Sequence, residues 1–160
     1  MPAHEGGCVC GAIRYAASAE PTRVTYCHCR FCQRSTGSAY LVEPIFRKRD
    51  IAVTRGSLST YSQPSAGSGK RVTINFCANC GTKLFFDFER FPDIYGLFAG
   101  TFDDPNWFAR AAAASKHIFL NSAQAGTVIP AGISTFREHM MLNDGTAVAP
   151  VIFAEPHIIV

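Results

Sequence analysis

The sequence is short of charge, of tryptophan and of long apolar runs. Charged residues make up 17% of its 160 positions, and Lys and Arg outnumber Asp and Glu by 15 to 12. With 48% hydrophobic residues, this composition excludes a disordered chain and predicts a globular one. No stretch approaches the ~20 apolar residues that a spanning helix needs, so no membrane partner is expected. The segment Met1-Pro2-Ala3-His4-Glu5-Gly6-Gly7 lacks a basic region followed by an apolar run. It therefore predicts no signal peptide, and the expected setting is the reducing cytoplasm. Basic residues are scattered, with Arg47-Lys48-Arg49 the only run of three, which reads as a solvated turn. Without a basic patch, nucleic acid is not an expected partner. No internal repeat is visible, and the length fits a single domain over residues 1–160.

What the chain has instead is cysteine, with Gly and Phe at 13 each and Pro at 9. That mixture favours strands joined by tight turns, hence a mainly β fold with short helices. Strands are predicted at 12–16, 23–26, 39–43, 70–76, 83–88, 94–99 and 117–120. Residues 51–54 and 58–61 read as a hairpin about Arg55-Gly56. Residues 30–36 read as a short helical turn stopped by Gly37. Asp103-Asp104-Pro105-Asn106 reads as a turn that caps a short helix through Trp107 and the alanines at 111–114. Residues 63–69, rich in Gly and Ser, form a loop. Residues 136–142 suggest a helical turn, and 147–160 an extended apolar arm.

The seven cysteines carry the chemistry. They fall into three tight groups: Cys8-x-Cys10, Cys27-x-Cys29-x-x-Cys32 and Cys77-x-x-Cys80. An odd number of thiols in a reducing setting reads as metal ligands before disulfides. Cys8, Cys10, Cys77 and Cys80 make a complete set of four, the ligand number of a structural zinc. The strand, C-x-x-C-G turn and strand around Cys77 and Cys80 form a hairpin of zinc-ribbon type. A structural zinc contributes folding free energy on the order of 10 kcal/mol, so loss of one of these ligands is expected to unfold that end of the protein.

Cys27, Cys29 and Cys32 supply three thiolates and no obvious fourth ligand. Three protein ligands leave a tetrahedral zinc with one open position, the pattern of a catalytic site. His28 and His117 are the candidates for a fourth ligand, and either would close the site. If the position stays open, it takes water or an incoming thiolate. Three sulfur donors lower the Lewis acidity of the metal, so thiol capture is expected before hydrolysis. Arg30 and Arg34 flank the ligands and are placed to offset thiolate charge or hold a carboxylate. Ionising seven thiolates and adding two divalent ions would bring the formal +3 to about zero, so the basic composition does not imply an acidic partner.

These motifs resemble the glutathione-dependent formaldehyde-activating enzymes, a family whose relatives include centromere protein V. The resemblance rests on Gly7-Cys8-Val9-Cys10-Gly11 with Ile13-Arg14-Tyr15, and on Cys27-His28-Cys29-Arg30-Phe31-Cys32 with Thr36-Gly37-Ser38. It rests also on Phe76-Cys77-Ala78-Asn79-Cys80-Gly81-Thr82, on residues 100–105 and on His117-Ile118-Phe119. It spans roughly residues 6–120. It implies a tent-like arrangement of packed antiparallel sheets and two zinc ions per chain. One would be structural on Cys8, Cys10, Cys77 and Cys80, and one catalytic on Cys27, Cys29 and Cys32. It implies a carbon–sulfur lyase activity joining a glutathione-like thiol to an aldehyde such as formaldehyde, giving S-hydroxymethylglutathione. The tryptophan that the family often carries after the His-Ile-Phe strand is missing from residues 121–130, and residues 121–160 match no family motif. The alternatives are a zinc hydrolase or lyase acting on another small molecule, and a non-catalytic zinc module that binds a protein partner.

Overall fold

The computed structural model describes residues 3–160. In chain order the strands are β1 His4–Gly7, β2 Arg14–Ala17, β3 Arg23–Cys27, β4 Leu41–Arg47, β5 Ile51–Arg55, β6 Ser59–Pro64, β7 Arg71–Phe76, β8 Lys83–Phe88 and β9 Ile94–Leu97. They continue as β10 Ser115–Ile118, β11 Val128–Ile129, β12 Ser134–Thr135, β13 Val151–Ile152 and β14 His157–Ile158. One α-helix, α1, runs from Arg30 to Thr36, and the other described helices are single 3-10 turns. The protein is mainly β, as its composition predicts.

The chain forms two compact units. The first ends at Thr22 and resumes from Pro44 to Ala109. Within it, β1, β2 and β5 pair antiparallel in a three-stranded sheet. The order β4-β9-β8-β7-β6 is likewise antiparallel throughout. Aromatic and aliphatic residues fill its core. Tyr15 and Phe46 are fully buried, Phe86 meets Phe98 edge-on at 4.8 Å between centroids, and the Tyr15 hydroxyl shares a 2.8 Å hydrogen bond with Thr101 Oγ1. Arg14 forms an ion pair with Asp103 on the surface.

The second unit comprises Arg23–Glu43 and Arg110–Val160. Its main sheet is built differently: β3, β10 and β12 run parallel, with His117 opposite Tyr26 and Thr135, and β13 adds antiparallel to β12. Strands β11 and β14 form a separate antiparallel pair. Parallel neighbours need a long crossover between them, and here the chain between β3 and β10 runs through α1, β4 and the Pro44–Ala109 part of the first unit. The backbone passes through a left-handed conformation at Phe119 (φ 62°), the only non-glycine residue to do so among those described.

Four local expectations differ from the structure. Strands β5 and β6 do not pair with each other; β5 joins β2 and β6 joins β7, each antiparallel. No α-helix runs through Trp107, and the alanines contribute only a 3-10 turn at Ala112–Ala114, which leads directly into β10. Residues 136–142 are not helical; Phe136 donates its N–H to the His117 carbonyl at 2.9 Å, and Met141 bridges Ala147. Strand β4 also runs through Pro44 to Arg47 instead of stopping at the proline.

Candidate metal centres

Within the first unit, two turns bring four thiols together. Cys8 begins one turn: its N–H reaches the Ile13 carbonyl at 3.1 Å, and its carbonyl accepts from Gly11. Strands β7 and β8 deliver the other, with Cys77 N–H bonded to the Thr82 carbonyl at 2.9 Å and Gly81 at φ 76°, a conformation that favours glycine. The sulfurs of Cys8, Cys10, Cys77 and Cys80 all lie within 4.8 Å of one another. Cys8 and Cys10 are 3.6 Å apart, and Cys10 and Cys77 are 3.8 Å apart. A tetrahedral ion with bonds of ~2.3 Å to sulfur requires sulfur separations of ~3.8 Å, so the four fit one ion.

Donors already point at these sulfurs. Ile13 N–H reaches Cys8 Sγ at 3.2 Å, and the Thr82 hydroxyl lies 3.1 Å from Cys80 Sγ. The Thr82 contacts, first among several, hold the Cys80 thiol down at about 5. Cys77 is pushed up to about 11, chiefly because burial and the neighbouring thiols Cys8 and Cys80 outweigh its backbone donors. Cys8 and Cys77 are buried, while Cys10 and Cys80 are exposed.

The second centre is assembled by β3 and α1. Cys27 ends β3, the His28 N–H continues the ladder to the Ile118 carbonyl at 3.0 Å, and Cys29 is the N-cap of α1. Its sulfur accepts the Cys32 N–H at 3.3 Å, in the manner of a capping side-chain oxygen. Gly37 closes the helix in the left-handed conformation at φ 68°, as the sequence predicts. The sulfurs of Cys27, Cys29 and Cys32 lie within 4.8 Å of one another, with Cys27 and Cys32 buried and Cys29 partly so. The set fits one soft ion. Among the described residues no histidine or carboxylate joins it. Hydrogen bonds from Cys27 and Cys32, then backbone donors, hold Cys29 well below the usual thiol range, while hydrogen bonding to the neighbouring thiols, then burial, pushes Cys27 and Cys32 well above it.

The family model of the glutathione-dependent formaldehyde-activating enzymes matches residues 3–122. The chain belongs to this family. Among relatives of the formaldehyde-activating enzymes, it is 29% identical over 102 residues to an uncharacterized lyase of Schizosaccharomyces pombe, covering 64% of this chain and 70% of that protein. It is 28% identical to a Halomonas elongata protein provisionally named as a glutathione-dependent formaldehyde-activating enzyme, covering 62% of this chain and 65% of that one. A crystal structure of a Rhodobacter sphaeroides protein matches at 25% identity with a TM-score of 0.49, over 62% of this chain and 87% of that chain. One of these relatives is named as a lyase and the other as a formaldehyde-activating enzyme, and together the names support enzymatic activity in general. No described helix is long and apolar enough to cross a membrane.

The two candidate fourth ligands bind each other. His28 Nε2 and His117 Nδ1 are 3.0 Å apart, both rings are buried, and His117 stacks on Tyr26 at 4.5 Å between centroids. Burial holds both imidazoles down at about 4, so both stay neutral at pH 7. Of the flanking arginines, Arg30 donates to Gln33 Oε1, and Arg34 is exposed on the helix surface.

Two buried residues escaped the sequence reading. Gln33 Nε2 donates to the His28 carbonyl at 2.6 Å and to the Ser122 carbonyl at 2.8 Å, so it clamps the turn that carries the thiols. Glu43 is buried in β4, where burial pushes its carboxyl up to about 8. The signal was present for Glu43: it is the one acid in the apolar run Leu41-Val42-Glu43-Pro44-Ile45-Phe46.

Proposed function

We propose that this protein is a zinc-dependent carbon–sulfur lyase that joins and splits a thiol–aldehyde adduct at the Cys27–Cys29–Cys32 centre. Glutathione and formaldehyde are the substrates to test first, because they are those its family is named for. The observation that carries the reading is the incomplete ligand set: two buried sulfurs and one partly buried sulfur converge, and among the described residues no fourth donor joins them. A zinc ion on these sulfurs would supply an open position at which a substrate thiol stays ionised and held.

The chain's own residues do the rest. Cys27, Cys29 and Cys32 bind the ion, and the Cys32 N–H steadies the Cys29 sulfur. Gln33 fixes the turn by its bonds to the His28 and Ser122 carbonyls. Burial of Cys27 and Cys32 keeps bulk water from two of the three sulfurs. Arg30 and Arg34 stand exposed on α1, where they suit the carboxylates of a glutathione-like thiol. Holding thiol and aldehyde together would supply much of any rate gain. Cys8, Cys10, Cys77 and Cys80 take the other zinc, in a structural role. A reducing, thiol-rich compartment such as the cytoplasm suits both centres.

The test is metal analysis together with exchange kinetics. The purified protein is expected to hold two zinc ions per chain and to accelerate interconversion of formaldehyde plus glutathione with their adduct, measured by exchange spectroscopy in solution. A rate equal to the spontaneous one, in protein carrying both ions, rejects the reading.

A further inference from the structure

We propose that Glu43 takes up and returns the proton exchanged in the thiol–aldehyde reaction at the Cys27–Cys29–Cys32 centre. This rests on the lyase reading above and adds a residue that the cysteine motifs do not name.

Buried polarity lies in one part of the molecule. Among the described residues, all eight buried polar or charged side chains belong to the second unit: Thr25, His28, Gln33, Ser35, Glu43, Ser115, His117 and Thr135. Of the seven buried side-chain atoms of the described residues left without a hydrogen-bond partner, six also belong there, and Trp107 Nε1 lies in the first unit. Each such atom costs about 1–3 kcal/mol if nothing meets it. Six in the unit that carries the open thiol set mark a place where water or substrate completes the bonding, not a core built for stability.

Within that group Glu43 is the only carboxylate. Its residue is 5% exposed, and its Oε1 is one of the unpartnered atoms. Its segment of β4 lies beside β3, the strand that begins at Arg23 and ends at Cys27. The opposite charge that acts on it is that of Arg23, yet Arg23 Nε is unpartnered too and no ion pair locks the two together among the described residues. A carboxyl held only for structure would be expected in a two-pronged bond with that guanidinium. This one keeps an oxygen free.

Burial pushes the Glu43 carboxyl up to about 8, while Arg23 pulls it down. A carboxyl whose two forms are both accessible near neutrality suits a group that accepts a proton in one step and donates it in the next.

The reaction needs such a group. As a thiol binds, its S–H bond breaks and the proton passes to the Glu43 carboxylate, directly or across one water. The sulfur electron pair forms the C–S bond to the aldehyde carbon, and the carbonyl π pair moves onto oxygen. The Glu43 carboxyl then gives the proton to that oxygen, which leaves the hydroxymethyl thioether. Thiol plus aldehyde equals adduct, with no oxidant or reductant, and the reverse sequence splits the adduct.

The experiment uses the zinc-loaded protein with glutathione and formaldehyde, comparing the natural chain with Glu43→Gln and Glu43→Asp. Glu43→Gln is expected to keep both zinc ions and to leave KM for glutathione within about twofold. It should lower kcat by roughly 100-fold or more, the usual contribution of a general acid–base group. It should also remove the limb of the pH–rate profile that titrates near neutrality. Glu43→Asp, which keeps a carboxyl, is expected to recover part of kcat and to restore that limb. Infrared difference spectra recorded on adding glutathione alone should show a carboxyl gaining a proton in the natural protein and not in Glu43→Gln. An unchanged kcat and pH profile in Glu43→Gln overturns the proposal. If Glu43→Gln does not fold, the absence of any carboxyl signal in the natural protein and in Glu43→Asp overturns it instead. Failure of the lyase reading looks different: the natural protein itself then gives no acceleration, and both proposals fall together.

Discussion

The two cysteine centres sit in different surroundings. The set of four has two thiols exposed to solvent and draws both of its turns from the first unit, whose buried core is apolar. The set of three is more deeply buried, ends a strand of a parallel sheet, and shares its unit with every buried polar side chain of the described protein. A fastening needs ligands and little around them. A reacting centre needs neighbours that can be polarised, protonated and left unsatisfied until substrate arrives. The difference in surroundings, more than the difference between four and three, separates the roles proposed for the two centres.

Substitutions offer ways to break that contrast. The largest effect is expected from Cys80→Ser, which removes a ligand from a closed set and with it metal binding on the order of 10 kcal/mol. The expected outcome is loss of one zinc ion and loss of the cooperative thermal transition, read by metal analysis and circular dichroism. Cys29→Ser should abolish turnover, lose the other ion and leave the transition in place. Equal unfolding by the two variants would erase the division between the centres.

Next in size is a pH effect on stability. Folding raises the Glu43 carboxyl from 4.5 to about 8, so the native state holds this proton more tightly than the unfolded chain does. The stabilisation is complete below pH 4.5 and is lost as pH rises through 8. Relative to the natural protein, Glu43→Gln should therefore gain stability as pH rises from 5.5 to 8.5, measured as the shift in denaturation midpoint. A constant difference across that range would show that Glu43 is not perturbed by folding.

Gln33→Ala should cost about 2 kcal/mol, because it leaves the buried His28 carbonyl and the Ser122 carbonyl without their shared donor. It sharpens the comparison if it also weakens zinc retention at the set of three while sparing the set of four. The smallest effect is expected from Arg14→Ala. Its partner Asp103 has a side chain 56% exposed, so the pair should contribute no more than about 1 kcal/mol in a urea titration.

Much of this was legible in the residues. The cysteine spacings divided the seven thiols into the two sets that the fold assembles, because a C-x-C or C-x-x-C turn is a local device that tertiary structure only has to bring together. Helix α1 and its Gly37 stop were readable for the same reason. Pairing was not. Strand β5 looks like the first arm of a hairpin, and only the distant β2 shows why it is not one. Nor does His117 announce that it will bond His28, since the parallel alignment of β10 with β3 decides that contact. Glu43 was visible as an acid among apolar residues, but its burial depends on which strand β4 adopts as a neighbour.

The parallel pairing of β3 with β10 also orders events during synthesis. Residues 23–32 leave the ribosome early, whereas Ser115–Ile118 emerge after the whole first unit. Until then Cys27 lies at the end of a strand with that edge bare, and the His28 N–H has no Ile118 carbonyl to receive it. The ring of four is complete once Cys80 appears. The set of three is therefore the later of the two to have its surroundings completed, finished only when the nascent chain returns to the place it left.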